Sequence, residues 1–75
     1  MDADDTLDLR GLKCPMPALL AHRYLARAKK GAAVLVLTDD PMAPIDVPFM
    51  CANEGYVVAG VERDGDAARM TLRKP

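Results

Sequence analysis

Cys14-Pro15-Met16-Pro17 places a thiol where the chain turns into a helix. Proline suits the first helical turn, because the amide hydrogens there have no intrahelical partner. The run Ala18-Leu19-Leu20-Ala21-His22-Arg23-Tyr24-Leu25-Ala26-Arg27-Ala28 is rich in helix formers. Cys14 therefore falls at or next to the N-cap, where the helix dipole favours an anion. From Leu9 to Thr38 there is no Asp or Glu. The same stretch holds Arg10, Lys13, Arg23, Arg27, Lys29 and Lys30, six of the ten Lys and Arg in the chain. Both features predict a lowered Cys14 pKa, and the thiolate is the nucleophilic form of cysteine.

The other chemistry-bearing residues read more plainly. Cys51 lies among Phe49, Met50 and Ala52 on a second helix and reads as a small buried hydrophobe. Its alternative is a second thiol that pairs with Cys14. His22, the only histidine, follows Cys14 by about two helical turns and reads as a solvated surface residue. Cys14, Cys51 and His22 have no usual metal-ligand spacing, so no metal or other cofactor is expected. Asp39 and Asp40 read as a turn, and Asp46 as a helix cap or local hydrogen-bond anchor. The basic residues lack the interleaved aromatics of a nucleic-acid surface, and the net charge is −1. No direct nucleic-acid partner is expected. An acidic surface on a protein partner fits better, met by Arg10, Lys13, Arg23 and Arg27. Met16 and Leu19 fall off the first helix's core stripe. They are either ordinary half-exposed apolar residues or a docking spot beside Cys14.

The elements that position these residues follow from pattern. The chain's 75 residues make one domain, with Met1–Thr6 expected as a short flexible tail. Leu7-Asp8-Leu9-Arg10 alternates as a strand does, and Gly11 permits a turn toward Cys14. A helix is expected from Pro15 to Lys30, stopped by Gly31, with Pro17, Leu20, Ala21, Tyr24, Leu25 and Ala28 facing the core. Ala32–Thr38 reads as a central strand. A second helix ends near Glu54, with Gly55 as its cap. It starts either at Asp46 or near Ala43 with Pro48 inside. Tyr56–Arg63 and Ala68–Arg73 read as strands around a turn at Asp64-Gly65-Asp66. The order β-α-β-α-β-β predicts an α/β two-layer sandwich, with a mixed four-stranded sheet and both helices on one face. No apolar run is long enough to span a bilayer, and no secretory signal is visible. A reduced cytoplasmic setting with both thiols free is the expectation.

Four features in order also resemble one family. Leu9-Arg10-Gly11-Leu12-Lys13-Cys14-Pro15-Met16-Pro17 is similar to the signature of the TusA-like (SirA/YedF-type) sulfur carriers. Lys29-Lys30-Gly31, Thr38-Asp39-Asp40-Pro41 and Asp46-Val47-Pro48-Phe49-Met50-Cys51 resemble its later landmarks. Arg10 departs from the apolar or small residue usual there. The resemblance implies that Cys14 accepts a persulfide sulfur from a cysteine desulfurase or other donor and relays it to an acceptor protein. The acceptor would serve tRNA thiolation, molybdenum cofactor or sulfur oxidation. Such a protein is a relay component with a sulfurtransferase's chemistry, and a monomer is the simplest state for it. The alternative function is a thiol-redox or regulatory module using a Cys14/Cys51 disulfide.

Overall fold

Alternating apolar residues and two amphipathic segments give the elements their faces. In a computed structural model that describes residues 5–75, the order is β1 (Asp5–Asp8), α1 (Met16–Arg27), β2 (Ala33–Thr38), α2 (Ala43–Glu54), β3 (Val57–Asp64) and β4 (Ala67–Arg73). The sheet order is β1-β2-β4-β3, parallel between β1 and β2 and antiparallel elsewhere. This is the expected mixed sheet in a two-layer α/β sandwich. Val34 and Val36 of β2 and Ala68, Met70 and Leu72 of β4 turn one face inward. They meet Ala21 and Leu25 of α1 and Ala43, Val47 and Cys51 of α2 in a single core. Leu35 and Leu37 point to the opposite, uncovered face, as strand alternation requires.

Two elements differ in extent from the sequence reading by more than a residue. β1 begins at Asp5, so Asp5 and Thr6 pair with Val34 and Leu35 instead of belonging to a tail. The Tyr24 hydroxyl also donates to the Asp5 carboxylate. The first four residues of the expected tail lie outside the described residues. α1 stops at Arg27, three residues before Lys30, because Ala28 is already extended. The Lys74 ammonium donates to the carbonyls of Ala26 and Ala28 at 3.3 and 3.0 Å, satisfying the helix end from the far terminus. Gly31, at φ +87, serves the turn that follows instead of the cap.

α2 starts at Ala43, the second of the two expected starts, and carries Pro48 inside. Asp40 closes its entry: the carboxylate accepts the Met42 N–H at 3.3 Å and the carbonyl accepts the Ala43 N–H at 3.0 Å. Gly55 ends it at φ +81, a left-handed position that glycine occupies at little cost. With Asp40 holding the entry, the Asp46 side chain is left for another partner.

Candidate functional site

The loop from Leu9 to Cys14 is pinned at two points. The Leu9 N–H donates to the Leu37 carbonyl at 2.8 Å, and the Gly11 N–H donates to Asp39 Oδ1 at 2.9 Å. Gly11 itself turns the chain, at φ +86. The loop delivers Cys14 to the surface, where it is exposed and a free thiol. Pro15 is the N-cap of α1, joined to Cys14 through a cis peptide, and Pro17 lies in the first turn. Cys14 thus stands next to the cap, as expected.

The electrostatics reverse the expectation. Pro15 and Pro17 offer no N–H, and the Met16 N–H donates to the Lys13 carbonyl at 2.9 Å. Few helix-start amides are left to face the sulfur. The Cys14 thiol instead donates to Asp46 Oδ2 at 2.7 Å, across the gap between the two helices. That hydrogen bond raises the Cys14 pKa, with desolvation and the negative charges of Asp46 and Asp40 adding to it. A carboxylate bonded to the thiol form favours keeping the proton. The predicted lowered pKa is therefore corrected. The thiol is surrounded by acid from α2 and its entry turn, and sequence segregation of Lys and Arg did not translate into proximity.

Cys14 and Asp46 sit in an open groove of about 410 Å³ between α1 and α2. Leu19, His22, Phe49 and Glu54 line it with them. Two of its lining residues are exposed apolar side chains, Leu19 at 55% and Phe49 at 68%, and Met16, Met42 and Ile45, on or beside the same two helices, are exposed as well. Exposed large apolar side chains gathered on one patch mark an interaction surface. Ile45 and Phe49 were missed in the sequence, although the signal was there. Met42, Ile45 and Phe49 recur on the side of α2 opposite the buried Ala43, Val47 and Cys51. A helix apolar on two faces has one face without a core to enter.

His22 is not simply solvated. Its Nε2 lies 3.5 Å from Glu54 Oε1, and its ring centroid is 6.0 Å from that of Tyr56. This pair closes the end of the groove; the thiol's own partner is Asp46. Cys51 is fully buried on α2, and burial pushes its thiol up to about 11. Among the described residues, no three of His, Cys, Asp and Glu gather as a metal site.

The basic residues scatter. Arg23 and Arg27 line a different groove, with Leu7, Leu20 and Tyr24, on the β1 side of α1. Lys13 lines a third, with Gly11, Asp39 and Asp40. Arg10 lies on the uncovered sheet face with Leu35 and Leu37. There it forms a bidentate pair with Asp8, at 2.8 and 2.7 Å, and holds that carboxyl down to about 2. Alternation explains the placement: Leu7 and Leu9 turn inward, so Asp8 and Arg10 turn out. Of the residues expected at the docking surface, Leu19 shares the groove with Cys14; Arg10, Lys13, Arg23 and Arg27 line other grooves.

A family model described as Sulfurtransferase TusA matches residues 5–74. The chain belongs to the TusA sulfurtransferase family. The crystal structure of a SirA-like protein from Desulfitobacterium hafniense is similar at 29% sequence identity. The match covers 91% of this chain and 93% of that one, with a TM-score of 0.76. TusA family membership implies a sulfur-carrier role, in which sulfur passes on to other proteins. No helix among the described residues is long and apolar enough to cross a membrane.

Proposed function

We propose that this TusA-family chain carries sulfur as a persulfide on Cys14. A cysteine desulfurase or similar protein loads it, and a second protein thiol unloads it. The observation that carries this reading is the exposed thiol in an open groove whose lining includes the exposed Leu19 and Phe49. Two large partners can reach such a sulfur in turn, and the rim gives each an apolar footing. The groove is open and has no enclosed pocket for a small substrate of its own.

The chemistry is exchange without net oxidation. Cys14 loses its proton and its sulfur attacks the outer sulfur of the donor persulfide. A bond forms between those two sulfurs as the donor's own S–S bond breaks. The donor's inner sulfur leaves as a thiolate and takes up a proton. Unloading repeats the step, with an acceptor thiolate attacking the outer sulfur and Cys14 leaving. The redox-module alternative gains no support from Cys51, which is fully buried in the same core cluster as Leu25, Val47 and Met70.

The test is mass spectrometry after incubation with a cysteine desulfurase, pyridoxal phosphate and cysteine. The expected result is a gain of one sulfur atom, absent in Cys14→Ala and kept in Cys51→Ala. A gain that survives in Cys14→Ala overturns the assignment. A loss of two hydrogens on mild oxidation, abolished by either substitution, would support the disulfide module instead.

A further inference from the structure

The Cys14–Asp46 contact joins residues that lie far apart in the chain and on different elements. We propose that Asp46 is a positioning residue that holds the proton on Cys14 and keeps the exposed thiol unreactive while the carrier is free. The inference rests on the sulfur-carrier reading for its purpose, although the contact itself does not.

Three observations support it. Asp46 is fixed in the first turn of α2, where its own N–H donates to the Met42 carbonyl at 2.8 Å. Asp40 closes the entry to α2, so the Asp46 carboxylate is not spent on a cap. Its Oδ2 accepts the thiol at 2.7 Å. The other charged groups around the sulfur do not cancel this. From the turn before α2, Asp40 adds negative charge, in the same direction as Asp46. From α1 and α2, His22 and Glu54 face each other at the end of the groove. Lys13, next to Cys14 in the chain, lines a separate groove, with Asp39 and Asp40.

A carrier thiol that is exposed and ionised is open to oxidation between partners. Holding it as the thiol limits that loss. A partner that seats on the apolar rim and offers a cation to Asp46 would free the sulfur for attack. Charge complementarity thus favours a partner surface with a basic residue beside apolar ones, the reverse of the acidic surface expected from sequence.

The experiment measures the rate of Cys14 alkylation by iodoacetamide against pH, read by mass, for wild type, Asp46→Asn and Asp46→Glu. Glutathione serves as the reference thiol. Wild type should react more slowly than glutathione near neutral pH. Asp46→Asn keeps the shape and removes the charge. Its profile should move to lower pH, with neutral-pH alkylation several-fold faster, because the group that favours the protonated thiol is gone. Asp46→Glu should restore much of the wild-type profile. A wild-type rate at or above that of glutathione overturns the proposal without recourse to any variant. So does an Asp46→Asn profile that stays in place or moves up. Because alkylation needs no sulfur donor, failure of persulfide loading would refute the carrier reading alone and leave this result standing.

Discussion

Cys51 offers the sharpest quantitative test of the core. Burial pushes its thiol from an ordinary 9.0 to about 11. A folded-state pKa above the unfolded one contributes stability that is complete below the unfolded value and is lost as pH rises through the folded value. The window therefore runs from about pH 9 to above pH 11. Full ionisation would remove about 2.7 kcal/mol, and about half of that, ~1.4 kcal/mol, is gone at about pH 10. A domain of this size has roughly 4 to 11 kcal/mol in total, so the loss is large. Urea unfolding of wild type should show a midpoint lower by about 0.5 to 1.4 M at about pH 10 than at pH 8. Tyrosines and lysines titrate in the same range, so the measurement is the difference between wild type and Cys51→Ala. The variant starts lower, because a buried sulfur is lost, and it falls less steeply. Parallel losses in the two proteins would refute the reasoning and place the Cys51 thiol in contact with water. The same burial predicts that iodoacetamide near neutral pH modifies Cys14 and leaves Cys51 untouched in the native protein.

Two predictions concern the docking surface. Phe49→Ser should slow sulfur loading several-fold while leaving the melting temperature nearly unchanged, since the ring is 68% exposed. Normal loading by that variant would remove the α2 rim from the interface. Arg27→Glu should leave loading at the wild-type rate at every salt concentration, because Arg27 lines the other side of α1. A loss of rate at low salt that disappears at high salt, as screened charge requires, would extend the footprint to that face and restore an acidic partner surface.

Much of the architecture was legible because it is local. Alternation in Leu7-Asp8-Leu9-Arg10 and in Ala68–Arg73 is a statement about two faces of a strand, and the sheet kept it. The core stripe on α1 held at Pro17, Ala21 and Leu25. Gly55 stopped α2 where it was expected. The same alternation also carried the answer for Arg10, whose parity with Asp8 puts it on the uncovered face. What was read wrongly was charge. Lys and Arg that crowd one stretch of chain are spread by the fold over three separate surfaces, since a helix and a strand each turn neighbours away from one another.

The sequence by itself determined which thiol the proposed chemistry rests on, the order of the elements, and the turn that brings Cys14 to the surface. These depend on backbone preferences and on side-chain periodicity within a few residues. The tertiary structure alone decided what surrounds that sulfur. Asp46 reaches it from the other helix, Asp39 pins its loop from the end of β2, and Lys74 sets where α1 ends. An electrostatic environment acts over a few ångströms of space, and sequence distance gives no measure of that.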